Sequence, residues 1–242
     1  MNYIKSEHLK LKHTFMRKLI LIAPFTTAIL ALLIGGISYY QPMTFYWWYA
    51  FLLPGTIALF CAMSNQKEER ATKYYSVYSQ PINLKHFWYG KIITLSECTI
   101  IAGVVLALLV SSISIISPAT VVFSPFKTVI GSLLITFTAL WQIPLCLFLS
   151  KKTHVFFPVL LNSVLGIFIP IIVGNTSIWW LFPHCYGGKL SEPFMGIGLN
   201  GVFTSSDKFS FSAIPITLIL SFILFLLFSL ISAKWFERQE VK

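Results

Sequence analysis

The sequence predicts an all-α integral membrane protein, with six transmembrane helices preceded by an N-terminal amphipathic interfacial helix. Three observations carry this. Of 242 residues, 56% are apolar and only 11% charged, with a mean hydropathy of +0.77; a soluble domain carries about 25% charged residues. The apolar residues gather in six long uncharged runs without the strict alternation that membrane-spanning strands need. Finally, 15 of the 18 Lys and Arg fall in the segments that six crossings place on one side, a strong positive-inside bias that puts both termini in the cytoplasm. The chain reads as one membrane domain over residues 1–242.

Residues 1–18 open the chain. At 100° per residue Ile4, Leu11, Phe15 and Leu19 share one stripe, while Lys10, His13 and Arg17 lie opposite. That pattern suits a helix in the plane of the interface, either as a topology anchor or as a contact surface for a cytosolic protein.

The six runs are Leu19–Ile37, Trp47–Met63, Ile92–Ile116, Thr128–Leu149, Val155–Gly174 and Phe211–Ala233. Helices of roughly 20 residues cross a hydrocarbon core of about 30 Å. Pro24, Pro54, Pro144, Pro158, Pro170 and Pro215 lie in or near them, which a bundle tolerates because neighbouring helices satisfy the freed carbonyls. Trp47, Trp48, Trp88, Trp179, Trp180 and Trp235 fall at or just beyond span ends, the headgroup level favoured by amphipathic rings. The net charge of +10 is thus a membrane signature, and no nucleic-acid partner is expected.

Between spans two and three, residues 64–91 exceed a tight turn. Gln66–Ser79 reads as a helix with Glu69 and Lys73 at i,i+4 spacing and Tyr74 and Tyr78 on one face. Pro81 ends it, and Asn83 is placed to cap the helix feeding span three. The one ionisable residue in the runs is Glu97, near the cytoplasmic end of span three, within reach of the interface or of Lys91. Residues 175–210 form a long outer segment with Trp179, Trp180, Phe182, His184, Tyr186 and Phe194, then a Gly-rich turn over 196–201.

Several chemistries are excluded. Ion-coupled transport wants ionisable groups at mid-membrane, and one edge carboxylate is thin machinery for that. No His-Glu-x-x-His run exists for zinc, the five histidines are scattered, and no G-x-x-x-x-G-K-[ST] occurs to bind ATP. Glu68-Glu69 with Lys73 is similar to the EExxxR motif of CAAX-protease-like membrane proteins, but Lys73 replaces the arginine and Phe-x-x-x-His is missing. Catalytic residues and metal ligands are therefore not expected. What remains is a helical membrane subunit whose energy comes from another chain.

Three anchors then carry a resemblance: Glu68-Glu69-Arg70, Ser79-Gln80-Pro81-Ile82, and Tyr89-Gly90-Lys91. With the six-span layout they resemble the permease subunits of ABC-2-type transporters, particularly the lantibiotic-immunity permeases. The resemblance implies a cytosolic ABC ATPase that binds ATP and Mg on a separate chain, and a second, different permease. It places the ATPase contact on Glu68, Glu69, Arg70, Lys73, Tyr74, Tyr78, Pro81, Lys10 and Arg17. It also implies an amphiphilic peptide substrate, expelled from a bacterial cell membrane for self-immunity. The outer segments carry a net charge of only +1, so peptide recognition would rest on Trp179, Trp180, His184 and Tyr186, among membrane lipids. Export of a lipid or another hydrophobic compound, or a non-transporting peptide-binding scaffold or sensor, are the alternatives.

Overall fold

Proline accounts for two irregularities in the helices of this bundle, because it removes a backbone donor. The computed structural model describes residues 3–12, 14–72, 74–79, 81–203 and 210–239. Among these the chain is all-helical: α1 (Tyr3–Leu11), α2 (Phe15–Gly35), α3 (Tyr40–Trp47), α4 (Leu53–Thr72), α5 (Tyr75–Tyr78), α6 (Leu84–Ser111), α7 (Ile113–Ile116), α8 (Pro125–Ala139), α9 (Gln142–Lys152), α10 (Phe156–Val173), α11 (Tyr186–Met195) and α12 (Ala213–Glu237).

Five stretches are long and apolar enough to cross a membrane: Phe15–Gly35, Tyr40–Ala71, Leu84–Ile116, Phe156–Val173 and Ala213–Glu237. The pair α8 and α9, bent by 44°, passes the same test of length and composition when the two helices are taken together, which brings the candidates to six. The bend has a local cause. Pro144 cannot donate to the Leu140 carbonyl, which accepts instead from Ile143 N–H at 3.0 Å, three residues on, so the helix tightens and turns. The second span joins α3 to α4 through a π-helical segment, Trp48–Leu52. Pro54 leaves the Ala50 carbonyl without its i+4 donor, and α10 closes on this point. A Cβ on Gly166 would lie 2.4 Å from Ala50 O, so only glycine permits the approach.

The two ends of the bundle are tied differently. At one end Gln41 accepts from Val122 and Phe123 N–H, both at 2.8 Å, and the Tyr49 hydroxyl donates to Gly198 O at 3.3 Å. At the other, α1, the end of α4, the starts of α5 and α6, and the ends of α9 and α12 converge. These are the segments that the charge count assigns to one side, and we refer to this as the basic end.

Several expectations need correction. Residues 1–18 are not one amphipathic helix: α1 stops at Leu11, Thr14 is extended, and α2 starts at Phe15. The predicted stripe is therefore split, with Leu11 and Leu19 buried and Phe15 exposed. Gln66–Ser79 is not an independent helix either. The second span runs on to Thr72, Tyr74 takes a left-handed conformation (φ 64°), and a single turn follows. Span two starts at Tyr40 rather than Trp47, and α6 at Leu84 rather than Ile92. Trp48 and Trp88 are fully buried in the bundle instead of lying in a headgroup belt. His13, Lys73 and Gln80, and Asp207 and Lys208 of the outer segment, lie outside the described residues.

Candidate functional site: a charged and aromatic knot at the basic end

Residue spacing builds this site from four directions. Within α1, Glu7 and Lys10 are one turn apart, and the Lys10 ammonium donates to Glu7 at 2.7 Å and to Glu68 of α4 at 2.6 Å. Burial acts against that ammonium, but Glu7 and Glu68 outweigh it and hold Lys10 above its ordinary pKa. A second tie joins α1 to α4: Lys67 donates to the Lys10 carbonyl. His8 pairs with Glu97 of α6 at 2.5 Å. Glu97 therefore meets α1, and not Lys91 as its spacing suggested.

Gly90 allows α1 to come this close to α6, since a Cβ there would stand 2.9 Å from Tyr3 Cβ. The helix start beneath is capped as expected, with Asn83 Oδ1 accepting from His86 N–H at 3.1 Å. Tyr3 stacks on His86, centroids 6.2 Å apart, and its hydroxyl accepts from Asn83 N–H.

At the centre sits Tyr74. Its hydroxyl donates to Asn65 Oδ1 at 2.8 Å, and Asn65 donates to Leu147 O and Ser150 Oγ, each at 2.8 Å, on α9. Lys91, only 1% exposed, donates to Ser64 O at 3.3 Å and reaches the Tyr74 hydroxyl at 3.5 Å. Among the described residues no carboxylate pairs with it; its charge faces the Tyr74 and Phe87 rings at 5.3 and 5.5 Å. Lys151 of α9 lies 3.4 Å from the Tyr74 ring centroid. Burial holds the Tyr74 phenol well above its ordinary pKa and pushes Tyr78 up to about 12.

The aromatic core is Phe236, in the last turn of α12. The rings of Trp88, Tyr78, Phe87 and Tyr74 lie 4.4, 5.7, 5.9 and 6.0 Å from it. Trp88 also donates to Ser232 Oγ at 3.1 Å, and Lys85 pairs with Glu237 at 2.9 Å. One cluster thereby fastens α1, α4, α5, α6, α9 and α12.

The structure sorts the predicted contact residues into two groups. Lys10, Glu68, Tyr74 and Tyr78 face inward and assemble the knot, whereas Glu69, Arg70, Pro81 and Arg17 are exposed. Beside them a cavity of about 430 Å³ opens between α1 and the end of α4, lined by Glu7, Lys10, Gln66, Lys67, Glu68 and Arg70.

The outer segment is likewise divided. Pro183–Cys185 and α11 fold back onto α8, α10, α12 and the π-helical segment. Tyr186 is buried and donates to Trp180 O at 2.6 Å. Burial pushes its phenol up to about 12. His184 Nε2 donates to Asn162 Oδ1 at 3.1 Å, and Asn162 donates to Gln142 Oε1 at 2.8 Å and Pro54 O at 2.9 Å. Burial lowers the His184 pKa to about 4, so the ring is neutral. Trp180 is exposed and Trp179 half-buried. Of the four predicted outer residues, Trp180 faces outward, Trp179 lies half-buried with its ring centroid 6.3 Å from that of Tyr186, and His184 and Tyr186 are scaffold. Asn162 and Gln142, two amides in otherwise apolar runs, were the available signal for this network.

The sequence profile of the ABC-2 family transporter proteins matches residues 3–169, from the first residue of α1 well into α10, and so includes the α1–α4–α6 part of the knot. The chain belongs to the ABC-2 transporter family. It is a membrane permease subunit of an ABC transporter, and ABC-2 membership implies association with an ABC ATPase and often with a second permease. No curated protein and no solved structure matches the chain. The outer segment, α12 and with it Phe236 lie beyond the matched residues.

Proposed function

We propose that this ABC-2 permease serves an exporter that protects its host by expelling a lantibiotic-like amphiphilic peptide from the membrane. The basic end faces the cytosol, and a separate ATPase chain, holding ATP and Mg, docks on the exposed strip Glu69, Arg70 and Pro81. A second, different permease completes the bundle. The observation that supports this reading is the knot itself. Glu69 and Arg70 directly follow Glu68, which belongs to a cluster that grips α1, α6, α9 and α12 together, so a push there would reach four elements at once. On the far side Trp179 and Trp180 present aromatic surface over the packed α11, suited to an amphiphilic peptide. The outer charge adds little, since Lys189 is already paired with Glu192 at 2.8 Å.

The test is copurification followed by reconstitution. The tagged chain should bring down a nucleotide-binding protein, and the Glu69→Lys, Arg70→Glu variant should lose it while inserting normally. In liposomes a lanthipeptide added from outside should stimulate ATP hydrolysis. Retained association in the variant removes the docking strip. Unstimulated hydrolysis by an intact complex removes the peptide and leaves export of a lipid or other hydrophobic compound.

A further inference from the structure

On the side of α1 away from Glu68 lies a second groove of about 350 Å³, lined among others by Lys5, His8, Lys12, Arg17, Ile20 and Ile101. Its composition is unlike that of a protein-docking cleft. The rim is cationic, from α1 and the first turn of α2, and the floor is apolar, from α2 and α6. Lys12 and Arg17 are exposed. Among the described residues the acid beside it, Glu97, is engaged by His8, and Lys12 and Arg17 present their cationic side chains at the rim.

The floor does not end at the groove. Glu97, Ile101, Val104 and Leu108 repeat at helical spacing along a single line of α6, and the three apolar members are 48%, 39% and 63% exposed. Eleven residues at 1.5 Å each make about 16 Å, roughly half of a 30 Å hydrocarbon core. A cationic rim that can take an anionic headgroup thus continues into an apolar track one leaflet deep.

We propose that this groove is a binding site for one anionic phospholipid of the leaflet at the basic end. Its phosphate sits between Lys12 and Arg17, and an acyl chain lies along the Ile20–Ile101 seam and the Val104–Leu108 line. Basic pockets beside membrane helices recognise headgroups through such paired cations. The bound lipid bridges the end of α1 and the first turn of α2, and so fixes α1 against α6 from the side opposite to Lys10.

Native mass spectrometry of the purified full chain, incubated with phosphatidylglycerol or phosphatidylcholine, tests this. The wild type should retain one phosphatidylglycerol in preference to phosphatidylcholine. Two headgroup contacts amount to roughly 30-fold in retention, which Lys12→Gln with Arg17→Gln should remove. Lys18→Gln, an exposed cation outside the groove, should keep the lipid. Ile101→Asn should lose it with the rim intact. Equal retention of both lipids, wild-type retention by the double variant, or the same loss with Lys18→Gln would each overturn the site. Displacement of phosphatidylglycerol by inorganic phosphate alone would assign the rim to a soluble anion and overturn the lipid.

Discussion

The Lys10 ammonium lies 2.6 Å from a Glu68 carboxylate oxygen, so α1 and the end of the second span share one ion pair across 58 positions of sequence. Glu68 is 7% exposed, so removing Lys10 leaves its carboxylate buried without that partner, whereas removing Glu68 leaves the partly buried Lys10 with Glu7 alone. Glu68→Gln should therefore cost about 1–3 kcal/mol. Hydrogen exchange across residues 3–11 should rise in parallel, and a double-mutant cycle with Lys10→Met should return a clear coupling term. Because Lys10 is held above 10.5, its contribution is complete below that pH and fades as pH rises past it. Charge reversal at Glu68 would act first on α1, which makes Glu69 and Arg70 the cleaner probes of a partner.

Gly90 offers a test in which two effects oppose each other. Alanine gains about 1 kcal/mol of helix propensity over glycine, yet its Cβ would stand 2.9 Å from Tyr3 Cβ. The steric effect should win, with Gly90→Ala destabilising α1 docking by about 1–2 kcal/mol. Limited proteolysis between α1 and α2 should be faster in the variant; slower cleavage would mean that α1 does not rest on Gly90.

For His184 the sign follows from its depressed pKa of about 4. Between that value and the ordinary 6.5, the undocked outer segment takes up a proton and the docked one does not. Docking should therefore be constant above pH 6.5 and weaken as pH falls towards 4. Protection of amides in Tyr186–Met195 reports it, and His184→Gln should flatten the profile.

Trp180 and Tyr186 separate contact from scaffold. Trp180→Ala should change stability by no more than about 0.5 kcal/mol while weakening peptide-stimulated ATP hydrolysis several-fold. Tyr186→Phe removes the buried hydroxyl donor to Trp180 O and should cost about 1 kcal/mol, with stimulation preserved at low temperature. If peptide stimulates ATP hydrolysis normally in complexes that carry the tryptophan variant, the outer tryptophans are membrane anchors.

What the sequence makes legible here is local. The Asn83 cap, the Tyr74–Tyr78 pair (centroids 6.0 Å apart), the turn over 196–201 and the clustering of the basic segments all follow from spacing or composition within one stretch of chain. The misreadings involve partners far away in sequence. A helical projection of residues 1–18 assumes one helix with a free polar face, so it turned Lys10 outward; α1 ends at Leu11, and the carboxylates of Glu7 and Glu68 hold Lys10 in. Tryptophan at a span end suits the headgroups and the bundle equally by composition, and only Ser232 and Phe236 decide that Trp88 is interior. Lys91 reads as a neighbour within reach of Glu97 until Ser64 and Tyr74 are seen to hold it. The two carboxylates of the acidic pair also look alike in sequence, though one fastens the knot and the other is exposed.

Phe236 adds a consequence in time. It is contributed by the end of α12, so during synthesis Tyr74, Tyr78, Phe87 and Trp88 wait without their common centre until that helix has been made. A half-inserted chain thus lacks the ring around which the aromatic knot closes.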